Sequence, residues 1–140
     1  MPNKNDCVFC KIINGELPAE RVYEDERVLS ILDIAPANKG HLLVIPKKHY
    51  KTIIEMPEEE LFAMISIVKK VGKSLFDALH ADSFNVHINT GRAAGQLVEH
   101  AHIHIIPRFK DDELSFNYDA KKYEPMEMKN IATRIRKAMR

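Results

Sequence analysis

The stretch that most constrains this chain is His100-Ala101-His102-Ile103-His104-Ile105-Ile106-Pro107-Arg108. In it three histidines alternate with apolar residues before the run turns hydrophobic. Side chains on a β-strand fall on alternate faces. The pattern therefore predicts a strand with His100, His102 and His104 on one face and Ala101, Ile103 and Ile105 on the other. Histidines two apart on such a strand stand roughly 6.5–7 Å from one another. A half-polar strand often carries one histidine. Three of the chain's seven at strict alternation point to a row of imidazoles with a chemical role. Just ahead, Ala94-Gly95-Gln96-Leu97-Val98 offers small residues that let backbone amides approach a ligand.

The remaining sequence reads as a scaffold for that row. Cys7-Val8-Phe9-Cys10-Lys11-Ile12-Ile13 is a short apolar helix stopped by Asn14-Gly15. Strands are expected over 21–24, 28–34, 41–45 and 83–89, with the Asp25-Glu26 turn joining the first two. The longest helix is expected over 57–79, with Pro57 in its first turn and Glu58, Glu59 and Glu60 at the positive end of its dipole. Its buried stripe is read as Leu61, Met64, Ile65, Val68, Val71, Leu75 and Leu79. Residues 111–123 read as surface loop and 125–139 as an amphipathic helix whose basic residues, Lys129, Arg134, Arg136 and Lys137, face solvent. Five strands with mostly short turns and one long helix between the third and fourth argue an α+β fold with an antiparallel sheet.

A chain of 140 residues suits one well-buried domain, here 1–140 with 1–6 as a flexible tail. Twenty-one basic residues balance 20 acidic ones, so no diffuse positive field exists to hold a nucleic-acid backbone. Any nucleotide ligand should be small and held locally. The N-terminal residues lack the apolar core of a signal peptide, and no apolar run approaches the roughly 20 residues of a membrane span, so a cytoplasmic location is expected. Cys7 and Cys10, the chain's two cysteines, have a spacing that suits metal or redox chemistry better than a structural disulfide. Neither an internal repeat nor a low-complexity segment interrupts the chain.

The His-x-His-x-His run with Gly-Gln ahead and Pro-Arg behind resembles the histidine triad, or HIT, family, nearest its purine nucleoside phosphoramidase-like branch. The likeness extends to Cys7-Val8-Phe9-Cys10-Lys11-Ile12-Ile13-Asn14-Gly15, Asp33-Ile34-Ala35-Pro36, Gly40-His41-Leu42-Leu43-Val44-Ile45-Pro46-Lys47-Lys48-His49 and Asn89-x-Gly91, in family order. It implies a HIT fold, a five-stranded antiparallel sheet with one long helix, a short N-terminal helix and a C-terminal helix. It also implies cleavage at the α-phosphate of a purine, AMP-like nucleotide. His102 then matches the nucleophile, forming a nucleotidyl-histidine intermediate that water resolves. Gln96, His104 and the backbone amides of Gly95, Leu97 and Val98 match the groups around the phosphate, and His41 the histidine that supports the triad. Asp33 matches the acceptor of the ribose hydroxyls, Ile34 the apolar residue beside the base, and Asn89 an amide on the phosphate side. Cys7, Cys10, His49 and His100 match the ligands of a structural zinc found in some relatives, one per chain. A homodimer is implied as well.

One position departs from that pattern. Many phosphoramidase-type members carry Ser or Thr directly after the glutamine, where this chain has Leu97. Leucine cannot relay a proton to a departing amine. Three other readings stay open on the sequence: cleavage of diadenosine polyphosphates or nucleotidyl transfer, a nucleotide-binding interaction module with incidental hydrolysis, and a zinc hydrolase that ligates metal through all three triad histidines. His80 and His87 are read as ordinary polar residues.

Overall fold

A computed structural model describes residues 4–139. Its five strands are β1 (Arg21–Glu24), β2 (Val28–Leu32), β3 (Leu42–Pro46), β4 (Ser83–His87) and β5 (Ile103–Arg108). They form one antiparallel sheet in the order β1-β2-β3-β5-β4, which leaves β4 at an edge. Asp25 makes the β1–β2 turn by accepting the amides of Arg27 and Val28 on one carboxylate oxygen. Three helices accompany the sheet: α1 (Val8–Ile13), α2 (Glu58–Leu79) and α3 (Glu127–Ala138). The chain is α+β, as its alternating patterns predict.

Strand periodicity gives the sheet two apolar faces, and different elements cover them. Val28, Leu42, Val44, Ala101, Ile103 and Ile105 pack under α2. Leu29, Ile31, Leu43 and Ile45 face the other way and pack with Cys7, Phe9 and Ile12 of the N-terminal segment. That second face carries the chemistry.

Several expected boundaries shift. Strand pairing in β5 starts only at Ile103, so His100 and His102 precede the regular strand, although their alternation with Ala101 and Ile103 persists. Backbone groups there bond outside the sheet, and the Ala101 amide donates to the Tyr50 carbonyl at 2.7 Å. β2 stops at Leu32 and β4 at His87, two residues early in each case. Lys4–Asp6 forms a 3-10 turn, not an irregular tail, while residues 1–3 of the expected tail lie outside the described residues. On α2 the buried residues are Met64, Ile67, Val68, Val71, Gly72 and Leu75. Ile65 and Leu79, read as core, are 46% and 42% exposed. The stripe is rotated because Gly72 faces inward, where a Cβ would stand 2.9 Å from the tip of the Phe84 ring.

Candidate active site and metal centre

The three triad histidines diverge: a backbone carbonyl orients His100 and another His102, and the His41 side chain orients His104. His100 is fully buried and donates Nε2–H to the Pro46 carbonyl at 2.8 Å, which leaves its Nδ1 as a lone pair. That lone pair stands 3.4 Å from Cys7 Sγ, 3.6 Å from Cys10 Sγ and 3.1 Å from His49 Nδ1, and His49 Nδ1 is 3.3 Å from Cys10 Sγ. All four donor atoms lie within 4.8 Å of one another, and neither cysteine is in a disulfide. A tetrahedral zinc with bonds of about 2.3 Å to sulfur and about 2.0 Å to nitrogen needs sulfur–nitrogen edges of about 3.5 Å and nitrogen–nitrogen edges of about 3.3 Å. The cluster has those dimensions, and its residues could hold a metal ion. Burial pushes His100 down to about pH 4, so its ring is neutral and ready to ligate.

His102 is held differently. Its Nδ1–H donates to the His100 carbonyl at 2.7 Å, so Nε2 keeps the free lone pair. Burial lowers its pKa, partly opposed by that carbonyl and by Asp33. Phe9, from α1, packs edge-on against both His100 and His102, with ring centroids 5.8 and 5.1 Å away. At neutral pH His102 is therefore an uncharged imidazole with an open nucleophilic nitrogen.

His104 completes a short relay. The Ala37 amide donates to His41 Nδ1 at 3.0 Å, which fixes the His41 proton on Nε2. That Nε2–H donates to His104 Nδ1 at 2.9 Å and leaves His104 with its own Nε2–H as a donor. Asp33 Oδ2 lies 3.7 Å from His41 Nε2, while its Oδ1 accepts the Ala35 amide. Burial, and then the charges of His102 and His41, push His104 down to about pH 4. Burial likewise lowers His41, against the pull of Asp33. Asp33, His41 and His104 also come within 4.8 Å of one another, but their closest approach is this hydrogen bond. The three triad histidines do not converge on one point, against the reading of a zinc hydrolase that ligates through all of them.

His102 and His104 line a cavity of about 500 Å³. Its walls are otherwise mostly apolar and come from α1, the 17–19 segment, β2, β3 and the Gly95–Val98 loop, with Asp33 as the polar exception. Ile34 and Leu97 stand at its rim, almost wholly exposed at 97% and 93%. Gln96 departs from its expected place. It is buried, its amide hydrogens go to the Lys51 and Val98 carbonyls at 2.7 and 3.0 Å, and its oxygen accepts the Gly91 amide at 2.8 Å. Both hydrogens are used by backbone carbonyls, so in this geometry Gln96 shapes the loop and does not reach the cavity. Asn89 donates one amide hydrogen to the Gly95 carbonyl at 3.5 Å, a long bond to the same loop. Sequence reasoning missed Phe9. Its place between the two cysteines was the available signal, since Cys7 and Cys10 both stand beside His100.

Comparison with known proteins places these features in a family. The family model described as HIT domain matches residues 14–111. Adenylylsulfatase HINT3 of Arabidopsis thaliana is 50% identical over 109 residues, 78% of this chain and 55% of that protein, so the chain spans about half its length. Adenosine 5'-monophosphoramidase hnt1 of Schizosaccharomyces pombe is 38% identical over 130 residues, 92% of this chain and 95% of that protein. A HIT family member from Bacillus subtilis superposes with a TM-score of 0.89 at 38% identity, over 96% of this chain and 98% of its own. A Zn-bound histidine triad family protein from Mycobacterium smegmatis gives 0.78 at 39% identity, over 98% and 100%.

Proposed function

The chain belongs to the HIT domain family, and on that premise we propose that it is a nucleotide hydrolase acting at the α-phosphate of purine nucleoside phosphoramidates or related adenylylated compounds. The observation that carries this reading is the proton order of the histidines. His102 keeps Nε2 as a base while His104 keeps Nε2–H as a donor, and both line one cavity. Two of the similar proteins are named adenylylsulfatase and adenosine 5'-monophosphoramidase, which supports an adenylyl substrate.

The nucleoside occupies the apolar part of the cavity, with Ile34 beside the base and Asp33 accepting the ribose hydroxyls. His102 Nε2 attacks the α-phosphorus. A phosphorus–nitrogen bond forms as the bond to the leaving group breaks, and the leaving group takes the electron pair. Water then cleaves the phosphorus–nitrogen bond, releasing the nucleoside monophosphate and restoring His102. His104 Nε2–H and the amides of Leu97 and Val98 donate to the non-bridging oxygens, where negative charge builds up, while the Gly95 amide is committed to the Arg92 carbonyl and shapes the loop. His41 positions His104, and Gln96 and Asn89 act at one remove by holding the loop.

Zinc, one per chain, fits the donor set of Cys7, Cys10, His49 and His100. Bound there, it would supply a structural crosslink that ties α1 to the segment ahead of β5. Reduced thiols suit a cytoplasmic location. All 140 residues act as one HIT unit, which pairs into a homodimer through the β4 edge.

The reading is tested by a turnover panel of an adenosine phosphoramidate, adenylyl sulfate and a diadenosine polyphosphate. AMP should be released from at least one of the first two, with His41→Ala slower and His102→Ala inactive while still binding AMP. Tight AMP binding with negligible turnover of every compound would instead indicate a binding module.

A further inference from the structure

Cross-strand registers define a row of four side chains that runs beyond the cavity. Ile31 on β2 pairs with Leu43 on β3, Leu43 with His104 on β5, and His104 with His87 on the edge strand β4. Residues paired across antiparallel strands share a face, so all four lie on the side that holds the chemistry. The first three line the cavity, and His87 stands one strand, about 4.8 Å, further out. With the nucleoside over Ile31 and Leu43 and the phosphate at His104, His87 is the next side chain of the row beyond the phosphate.

His87 is not alone there. The Phe116 ring meets it edge-on at 4.6 Å and 75°, and Phe116 is itself 41% exposed. The chain just ahead of Phe116 is tied back to β5. Arg108 makes a two-point pair with Asp112 at 2.9 Å on both bonds, donates to Asn85 and to the Leu114 carbonyl, and sets its guanidinium 5.4 Å from the Phe116 ring. Among the described residues the His87 ring has no hydrogen-bond partner, so its nitrogens remain available to a ligand. The result is a fixed aromatic corner at the outer end of the row.

We propose that His87 and Phe116 form the subsite for the leaving group, and that this subsite takes groups with a planar aromatic body. The proposal rests on the hydrolase reading above and specifies its substrates further. Phe116 offers an exposed ring for stacking or edge contact, and His87 offers a polar edge beside the bond that breaks.

Three adenosine 5′-phosphoramidates test it, with ammonia, 2-phenylethylamine and 2-cyclohexylethylamine as leaving groups. The two large amines are alike in reach and differ in planarity. Wild-type protein should prefer the phenylethyl over the cyclohexylethyl compound in kcat/KM by about 3- to 10-fold, the usual scale of an aromatic pair. Phe116→Leu and His87→Ala should each erase that preference, and Phe116→Tyr should keep it, with thermal melting confirming that each variant is folded. A wild-type enzyme that turns over all three without preferring the planar amine, or a preference that survives both variants, overturns the subsite and leaves the hydrolase reading standing. No turnover of any of the three by the wild type overturns the subsite, and the hydrolase reading falls with it only if adenylyl sulfate is also left intact.

Discussion

The site's chemistry turns on which nitrogen of each histidine carries a proton, and that choice is made by backbone groups. The alternation of His100, His102 and His104 is legible in the sequence. The Pro46 carbonyl, the His100 carbonyl and the Ala37 amide that set the tautomers are not, because backbone groups have no sequence signature. The same blindness hid the role of Gln96, whose partners are three backbone groups brought together only by the fold. Burial has a pH consequence at His104. Its folded pKa of about 4 lies below the ordinary 6.5, so the unfolded chain takes up the proton first. This contribution to stability is fully present above about pH 6.5 and is lost as pH falls toward 4. The urea midpoint should therefore drop over that window, and drop less steeply in His104→Asn, which cannot titrate. Equal slopes in the two proteins would contradict the assignment. Leu97 gives a second prediction at this scale, since it sits at the cavity rim with no hydroxyl to offer a departing amine. Leu97→Ser should raise kcat/KM for an alkyl-amine phosphoramidate, relative to an ester with an acidic leaving group, by about 10-fold, or roughly 1.4 kcal/mol of barrier. An unchanged ratio in a folded variant would make Leu97 a packing residue only.

Among the elements, α1 and α2 show what periodicity can and cannot specify. The existence and length of α2 follow from its apolar spacing and its acidic first turn. Its rotation does not, because one missing side chain decides it. Gly72 lets the helix come down on Phe84, turning Ile65 and Leu79 outward and Ile67 inward. Gly72→Ala should thus destabilise the protein by about 1 kcal/mol net, since the clash with the Phe84 ring outweighs the gain in helix propensity. A denaturation curve shifted toward greater stability would refute that packing argument. α1 is too short to be stable alone. Its position depends on what joins Cys7 and Cys10 to His49 and His100, and Phe9 carries that position to His102. Protein purified without chelators or tags should contain close to one zinc per chain. Cys10→Ser should lower both metal content and melting temperature, because the binding energy of a structural metal contributes to folding. Elemental analysis that finds wild-type protein metal-free would remove this clamp.

The whole molecule combines a protected face with an open one. β4 leaves one side of its backbone unpaired at the sheet edge, and Val86 beside it is 41% exposed. Phe62, Ile65 and Phe76 on α2 are also exposed, on the helix whose Gly72 packs against Phe84 of β4. Exposed edges with apolar neighbours are usually covered, and a second copy meeting this edge would cover both. Light scattering should give twice the chain mass, and Phe62→Glu combined with Val86→Lys should give monomers. A monomeric wild-type protein would contradict this arrangement. The central claim remains the covalent role of His102, whose open Nε2 follows from the assembled fold. The most direct test mixes the protein with an adenylyl substrate, quenches within the first turnovers under mildly alkaline denaturing conditions, and maps the adduct by mass spectrometry. An acid-labile adenylyl group should appear on His102, forming and decaying at rates that match turnover, with no adduct in His102→Ala. Turnover without a competent adduct, or a His102→Ala variant that retains full activity, would contradict it.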